Sequence, residues 1–212
     1  RLFLVCAKTP PTASDDRVSA IRPAFTQFIR HEDTFVTHAA ALPEPPDYLA
    51  GGLGEIVESM PDDDARWWSE ARTSVAMASL SAVQAARIEL LKQHRRPVYR
   101  TGYRRTRKGA AVWEFRDDDV SGCLRTARGG SSKQALIRVC DGAVAMRWMT
   151  PREYARLMGA GDYALGAVTE AQAIFGFGDA VCVPVVRWLA KHYLMPLLSG
   201  ELDVDAATAI AR

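Results

Sequence analysis

Residues 122–134 combine hydrogen-bonding side chains with three glycines. The polar side chains that could serve recognition are Arg125, Arg128, Ser131, Lys133 and Gln134. Arg and Gln can each form two hydrogen bonds with one base edge, and glycine lets the backbone approach a surface closely. The pattern favours contact with bases or backbone in the grooves of a nucleic acid, and a mobile surface loop is the alternative left open.

The charge around this stretch is strongly asymmetric. Residues 95–138 contain twelve basic side chains against four acidic ones, whereas the whole chain of 212 residues carries a net charge of only +2. Residues 44–70 are correspondingly acidic. Basic charge concentrated in this way indicates a polyanionic partner, and an ordinary solvated face remains the alternative.

Other residues that could perform chemistry do not form a recognised pattern. Gly176 and Gly178 begin a glycine pattern, but Val181 stands where a dinucleotide-binding fingerprint needs a third small residue. The four cysteines have no CxxC spacing, which argues against a metal site and predicts free, mostly buried thiols in a reducing cytoplasm. Cys182 lies among valines without a basic neighbour, so we expect an inert core thiol.

Two hairpins should position the basic residues. Strands are predicted at 99–107 and 110–116 around Lys108-Gly109, and at 135–140 and 143–148 around Asp141-Gly142.

Three helices are predicted around these hairpins. The first runs from about Ser81 to Gln93, with Ser81 and Gln84 as a capping box. Its predicted apolar face consists of Leu80, Val83, Ala86 and Leu90.

A second helix begins at Thr150 as N-cap, with Pro151 at the first position and Glu153 closing a capping box. Met149 is expected to contact Tyr154 across this helix start, and Gly159 ends the helix. We interpret Thr150 and Glu153 as structural.

The third helix follows residue 180, with Pro184 in its first turn. Its expected apolar face consists of Val181, Val185, Trp188 and Leu189.

The N-terminal region predicts a strand at residues 1–8 that begins without a polar lead-in, so we expect a longer protein. Residues 39–50 contain three prolines and predict a linker. No run of apolar residues of about 20 and no signal-peptide pattern is evident, so no membrane partner is expected.

Three segments resemble motifs of the DNA (cytosine-5)-methyltransferases. Residues 1–5 (RLFLV) resemble the end of the eighth motif, with Arg1 as the last arginine of Gln-x-Arg-x-Arg. Residues 147–159 (RWMTPREYARLMG) are similar to the ninth motif, and residues 177–185 (FGDAVCVPV) to the tenth. The basic hairpins fall between the eighth and ninth motifs, where the family has its variable target-recognition domain.

The resemblance implies an α+β fold. A hairpin-rich target-recognition domain would accompany helices and one strand that complete a Rossmann-like, S-adenosylmethionine-dependent catalytic domain. The implied division is a catalytic-domain strand at 1–10, the DNA-binding domain at 11–146, returning helices at 147–198 and a tail at 199–212. The expected setting is the cytoplasm of a bacterium, at the nucleoid, in restriction-modification or in regulation.

The resemblance also implies a chemistry. In the family a cysteine attacks carbon 6 of a flipped-out cytosine, and carbon 5 receives the methyl group of S-adenosylmethionine. Arg1 would hold the flipped cytosine by a charge-assisted hydrogen bond. The cofactor pocket would include Gly178, Asp179, Ala180 and Val181.

Duplex DNA is the implied partner. The loop residues Arg125, Arg128, Ser131, Lys133 and Gln134 would contact bases or backbone in the grooves. The side chains expected to hold phosphates are Arg104, Arg105, Arg107 and Lys108.

Four features depart from the family. None of the four cysteines follows a proline, and the Phe-x-Gly-x-Gly and Glu-Asn-Val motifs are absent. The family places these N-terminal to the eighth motif, so we predict that this chain is inactive without an N-terminal catalytic half. Asp179 replaces the family's usual asparagine and can accept hydrogen bonds but not donate them. The alternative is a non-catalytic DNA-binding subunit or a decayed methyltransferase-like module.

Overall fold

A computed structural model describes residues 42–47, 49–125 and 133–201, together with Val5, Ala24, Phe28 and Thr34. Arg1, Arg128, Ser131 and all of the predicted strand 1–8 except Val5 therefore lie outside the described residues. Contacts divide the chain into two compact units, one of residues 49–183 and one of residues 1–48 with 184–212. The four-domain division implied by the resemblance stays a prediction.

In the described residues the structure is α+β, with a four-stranded antiparallel sheet and helices. A 3-10 helix at Gly52–Glu55 precedes the helices α1 (Glu70–Ala78) and α2 (Ala82–Leu91). The strands are β1 (Val98–Arg107), β2 (Ala110–Phe115), β3 (Ala135–Cys140) and β4 (Ala143–Trp148). They are followed by α3 (Pro151–Leu157), α4 (Glu170–Asp179), α5 (Val183–Leu189), a π-helical turn at Ala190–Leu194 and α6 (Met195–Ser199).

Both predicted hairpins are confirmed. The strand order is β2-β1-β3-β4, so each hairpin contributes one inner and one outer strand. Lys108 and Gly109 have φ angles of 49° and 82°, and Asp141 and Gly142 have φ angles of 47° and 79°. Positive φ at both central residues is the conformation of a two-residue turn that matches the strand twist. Residues 42–47 form neither helix nor strand, in agreement with the predicted linker.

One face of the sheet buries the main core. Side chains of all strands except β1 meet α1 and α2 there, in a cluster around Trp113, Phe115, Ile137 and Met146. The rings of Trp68, Trp113 and Trp148 lie within 5.1–5.7 Å of one another between centroids. The side chains that β2, β3 and β4 place on this face therefore serve packing.

Helix α2 attaches to this face differently from the prediction. Ser81 caps it by accepting a hydrogen bond from the Gln84 N–H, but the Gln84 side chain bonds the backbone N–H and C=O of Phe115 instead. Val83 and Leu90 are 63% and 62% exposed, so the predicted apolar face is wrong. The inward face has the spacing i, i+4, i+7 and consists of Gln84, Ile88 and Leu91.

The other face of the sheet packs on α3 and α4. Thr150 is the N-cap of α3 with a complete capping box to Glu153, Pro151 is at the first position, and Gly159 follows the helix with φ 69°. Met149 and Tyr154 are fully buried in one cluster with Leu136 and Ile174. The predicted start and end of this helix are confirmed.

A buried ion pair joins β4 to α3. The side chains of Arg147 and Glu153 are both 0% exposed, and the Arg147 guanidinium donates to both carboxylate oxygens. The same carboxylate accepts hydrogen bonds from the backbone N–H of Thr150 and of Glu58, both at 2.8 Å. Three segments of the chain therefore share one carboxylate.

The C-terminal helices differ from the prediction in one respect. Gly176 and Gly178 lie inside α4, and Pro184 lies in the first turn of α5 as expected. Val181 lies between the two helices and is 50% exposed, so it does not join the apolar face expected for α5.

Residues Glu170–Ser199 are also long and apolar enough to cross a membrane, by length and composition only. We did not expect an apolar run of this length from the sequence, because Asp179 and Arg187 interrupt the apolar residues here. Only 22% of the apolar window is buried, and the helical backbone is interrupted at residues 180–182.

We predict that Arg147→Met lowers the free energy of unfolding by about 3–5 kcal/mol, because the Glu153 carboxylate is left buried without its counter-ion. Lys92→Met is the matched control: Lys92 pairs with Glu89 at 2.7 Å on the exposed side of α2, and its loss should cost less than about 1 kcal/mol. Urea unfolding of both variants measures the difference, and equal costs would contradict a structural role for the buried pair.

Candidate nucleic-acid interface

All four residues predicted to contact phosphates lie in the β1–β2 hairpin. Arg104 alternates with Arg105 and Arg107 along β1, so the first points to the face of the sheet that holds Trp113 and the others to the opposite face. Lys108 occupies the turn itself. Arg104, Arg107 and Lys108 are exposed and Arg105 is half-buried. Among the described residues, neither Arg104 nor Lys108 forms an ion pair.

Glu114 on β2 contacts the other two arginines. Its Oε1 accepts a hydrogen bond from Arg107 Nε at 2.7 Å, and its Oε2 lies 3.9 Å from Arg105 Nε. The hydrogen bond to Glu114 raises the pKa of Arg107 above its usual value, so this guanidinium stays charged. The hairpin therefore presents four cations, two of which already share an internal carboxylate.

Tyr103 connects the arginine row to the loop at residues 121–125. It lies on the same face of β1 as Arg105, whose guanidinium carbon is 4.9 Å from the Tyr103 ring centroid. The Tyr103 hydroxyl donates to the backbone carbonyl of Cys123, and burial raises the pKa of this hydroxyl well above its usual range. Tyr103 thus stays neutral and fixes the start of the loop beside the hairpin.

The two ends of the predicted recognition loop meet at Gln134. Its side-chain amide donates to the Gly122 carbonyl at 3.0 Å, and its carbonyl oxygen accepts from the Ser121 hydroxyl at 3.2 Å. Gly122 also donates its N–H to the Thr101 hydroxyl at 3.1 Å. A Cβ at Gly122 would lie 2.7 Å from the Tyr103 ring, so only glycine fits this position without a shift.

Gln134 was predicted to contact a nucleic acid, but the structure places it elsewhere. It is 0% exposed, and its backbone carbonyl accepts from the N–H of Met149. With its side chain buried and both of its amide atoms hydrogen-bonded, Gln134 closes the base of the loop and is not accessible to a ligand.

Arg125 and Lys133 lie on either side of the predicted recognition loop and have different surroundings. Arg125 is exposed at the last described position before residues 126–132. The Lys133 amine pairs with Glu170 at 2.7 Å and lies 5.5 Å from the Trp148 ring centroid. Arg125 is therefore the better placed of the two for contact with a ligand.

The predicted cofactor residues lie at the end of α4. Gly178 is buried, Asp179 and Val181 are exposed, and Ala180 is half-buried with its N–H bonded to the Gly176 carbonyl. Val183 donates its N–H to the Met158 carbonyl at 2.9 Å. Consequently the segment resembling the tenth motif contacts the segment resembling the ninth.

The cysteines only partly follow the prediction. Cys123, Cys140 and Cys182 are free, but Cys123 is exposed and the other two are half-buried. Cys182 packs against the cluster that contains Met158, which fits a structural thiol. Within the described ranges, no group of three His, Cys, Asp or Glu side chains could hold a metal ion.

Sequence reasoning missed the roles of Tyr103, Glu114 and Gln134. The spacing of Tyr103 with Arg105 and Arg107, two residues apart, places them on one face of a strand and could have indicated Tyr103. Glu114 is the only acidic residue between Val98 and Phe115. No local pattern distinguishes a buried glutamine from one in a loop.

We predict that Gln134→Leu lowers the free energy of unfolding by about 1–3 kcal/mol, because the loop base loses both hydrogen bonds of the Gln134 amide, to the Gly122 carbonyl and from the Ser121 hydroxyl. Hydrogen exchange should also accelerate at residues 121–125 more than in β3 and β4. Gln93→Leu, the same change at an exposed position, is the control and should alter neither quantity. Unchanged exchange at the loop base in Gln134→Leu would refute its closing role.

No protein-family model matches this chain, and neither a curated protein nor a solved structure matches it. The resemblance to the methyltransferase family therefore rests only on the residue patterns at 1–5, 147–159 and 177–185.

Proposed function

We propose that this chain is the C-terminal, DNA-recognising part of a DNA (cytosine-5)-methyltransferase. The observation that carries the proposal is the contact between the two motif-like segments. They are separated by 17 residues in the sequence (160–176), yet the Val183 N–H bonds the Met158 carbonyl at 2.9 Å. Phe177, Ala180 and Cys182 also pack on the cluster that contains Tyr154 and Met158.

The sheet gives the proposal further support. β4 runs directly into the segment at 147–159, and Arg147 anchors that segment to Glu153. The basic hairpin and the base of the loop belong to the same sheet. A two-stranded ribbon with a basic tip is one of the elements that the major groove of DNA admits.

The proposed contacts with DNA divide into two groups. Arg104, Arg105, Arg107 and Lys108 would hold phosphates, which position the protein but carry no sequence information. Arg125, together with the loop residues Arg128 and Ser131, would reach base edges or the backbone within a groove. Lys133 would join them only after releasing Glu170.

The end of α4 suits the cofactor by charge. Asp179 is exposed at the C-terminal end of this helix, where the helix dipole adds negative potential to a carboxylate. S-adenosylmethionine carries positive charge on its sulfonium and amino groups and would supply the methyl group. Gly178, Ala180 and Val181 would line the same pocket through backbone and small apolar groups.

We predict that the chain binds duplex DNA with an affinity that falls steeply with salt. Replacing one phosphate-binding cation, as in Arg104→Gln, should weaken binding to every sequence alike and lower the salt slope by about one. Lys92→Gln removes a cation that is already paired on α2 and is the control. Fluorescence titrations at two or more salt concentrations measure both effects, and salt-independent binding would argue against the proposal.

We predict no methyl transfer by this chain alone, because no cysteine here follows a proline. Tritiated methyl incorporation into duplex DNA should appear only when a polypeptide carrying the Pro-Cys nucleophile and the Phe-x-Gly-x-Gly motif is added. Incorporation without that addition would contradict the assignment.

A second function is favoured by Asp179, which stands where the family usually has asparagine. In that case the chain is a DNA-binding module without chemistry. DNA binding that is retained while every added catalytic half fails to restore transfer would identify this case.

A further inference from the structure

Glu114 is the single acidic residue in the two strands of the basic hairpin. Between Val98 and Phe115 the sequence has five basic side chains and this one carboxylate. Glu114 stands opposite Tyr103 in the register, on the face that carries Arg105 and Arg107. The next acids along the chain are occupied elsewhere, since Asp117 pairs with Arg87 and Asp118 with Arg116.

The carboxylate of Glu114 serves two guanidinium groups at once. Arg107 donates to one oxygen at 2.7 Å, and Arg105 lies 3.9 Å from the other. The side chains of Arg105 and Glu114 are about one third exposed and that of Arg107 is 65% exposed. Water therefore reaches the pair, and a phosphate could approach the same guanidinium groups.

We propose that Glu114 is an internal competitor for the phosphates of DNA. This inference rests on the proposed function. When the hairpin contacts a duplex, Arg105 and Arg107 exchange the Glu114 carboxylate for phosphate oxygens. Because phosphates carry no sequence information, Glu114 lowers the affinity for all duplexes by the same factor. It thereby limits non-specific binding and leaves discrimination to the loop.

A purely structural role for Glu114 has a different consequence. An exposed ion pair contributes little to folding, so its loss would leave DNA affinity unchanged apart from the effect of one unit of net charge. Competition predicts more, because the wild-type chain must give up these ion pairs on binding. The released carboxylate then lies beside the duplex and retains a cation that would otherwise leave, which lowers the salt slope of the wild-type chain.

The experiment is a titration of the full 212-residue chain with a fluorescent duplex of arbitrary sequence at several salt concentrations. Glu114→Gln should tighten binding about threefold to tenfold and increase the magnitude of the salt slope by about one. Glu89→Gln is the control, since it removes the same charge from an exposed pair with Lys92 on α2. It should change the affinity less than about twofold. Circular dichroism of each variant verifies that it is folded.

A second comparison measures the contribution of Arg107 to the affinity for DNA. Arg107→Ala should weaken binding more in the Glu114→Gln background than in the wild-type chain, because only there is the guanidinium free of its internal partner. Equal effects in the two backgrounds, or an affinity gain no larger than that of Glu89→Gln, would overturn the role of Glu114 while leaving DNA binding intact. A wild-type chain without salt-dependent binding would instead overturn the proposed function itself.

Discussion

The buried pair of Arg147 and Glu153 is the constraint on which the arrangement of this unit depends. A carboxylate removed from water is tolerated only when it is compensated, and here a bidentate guanidinium and two backbone N–H groups supply that compensation. Those partners come from β4, the start of α3 and the segment at Glu58. Thr150 strengthens the same junction, since its hydroxyl bonds both the Glu153 N–H and the Glu58 carboxylate. The sheet and the motif-like helix are thus held in one orientation.

With that orientation fixed, the chain also covers the two outer edges of its sheet. Ser79 and Gln84 bond the backbone of Trp113 and Phe115 along β2, and the Trp68 N–H bonds the Met146 carbonyl along β4. An outer strand without such partners invites pairing with another chain. The β1–β2 turn extends beyond these attachments, so the hairpin tip is available for contact with a ligand. The proposed function would therefore place recognition at the turn end of β1 and β2, away from these attachments.

The elements that the sequence predicts well are those determined by local chemistry. Asp141-Gly142 and Lys108-Gly109 define their turns through positive φ, and Thr150 with Glu153 defines a helix start through hydrogen bonds three residues apart. The features that were missed depend on partners distant in sequence. Gln84 is directed inward by a strand 31 residues away, and Gln134 is buried by contacts with Gly122 and Tyr154. The type of a polar residue does not predict whether its hydrogen-bond partners lie within the protein.

The structure also bears on the two explanations left open for the basic region. If the acidic segment at residues 44–70 existed to neutralise it, ion pairs between the two should be numerous. Among the described residues, only Asp62 with Arg138 forms such a pair, whereas Asp64 is held by Arg66 within its own segment. The hairpin keeps its excess of positive charge, moderated only by Glu114. Like charges placed together at an exposed tip repel one another, and the polyanion of the proposed function would relieve that repulsion more effectively than dilute counter-ions.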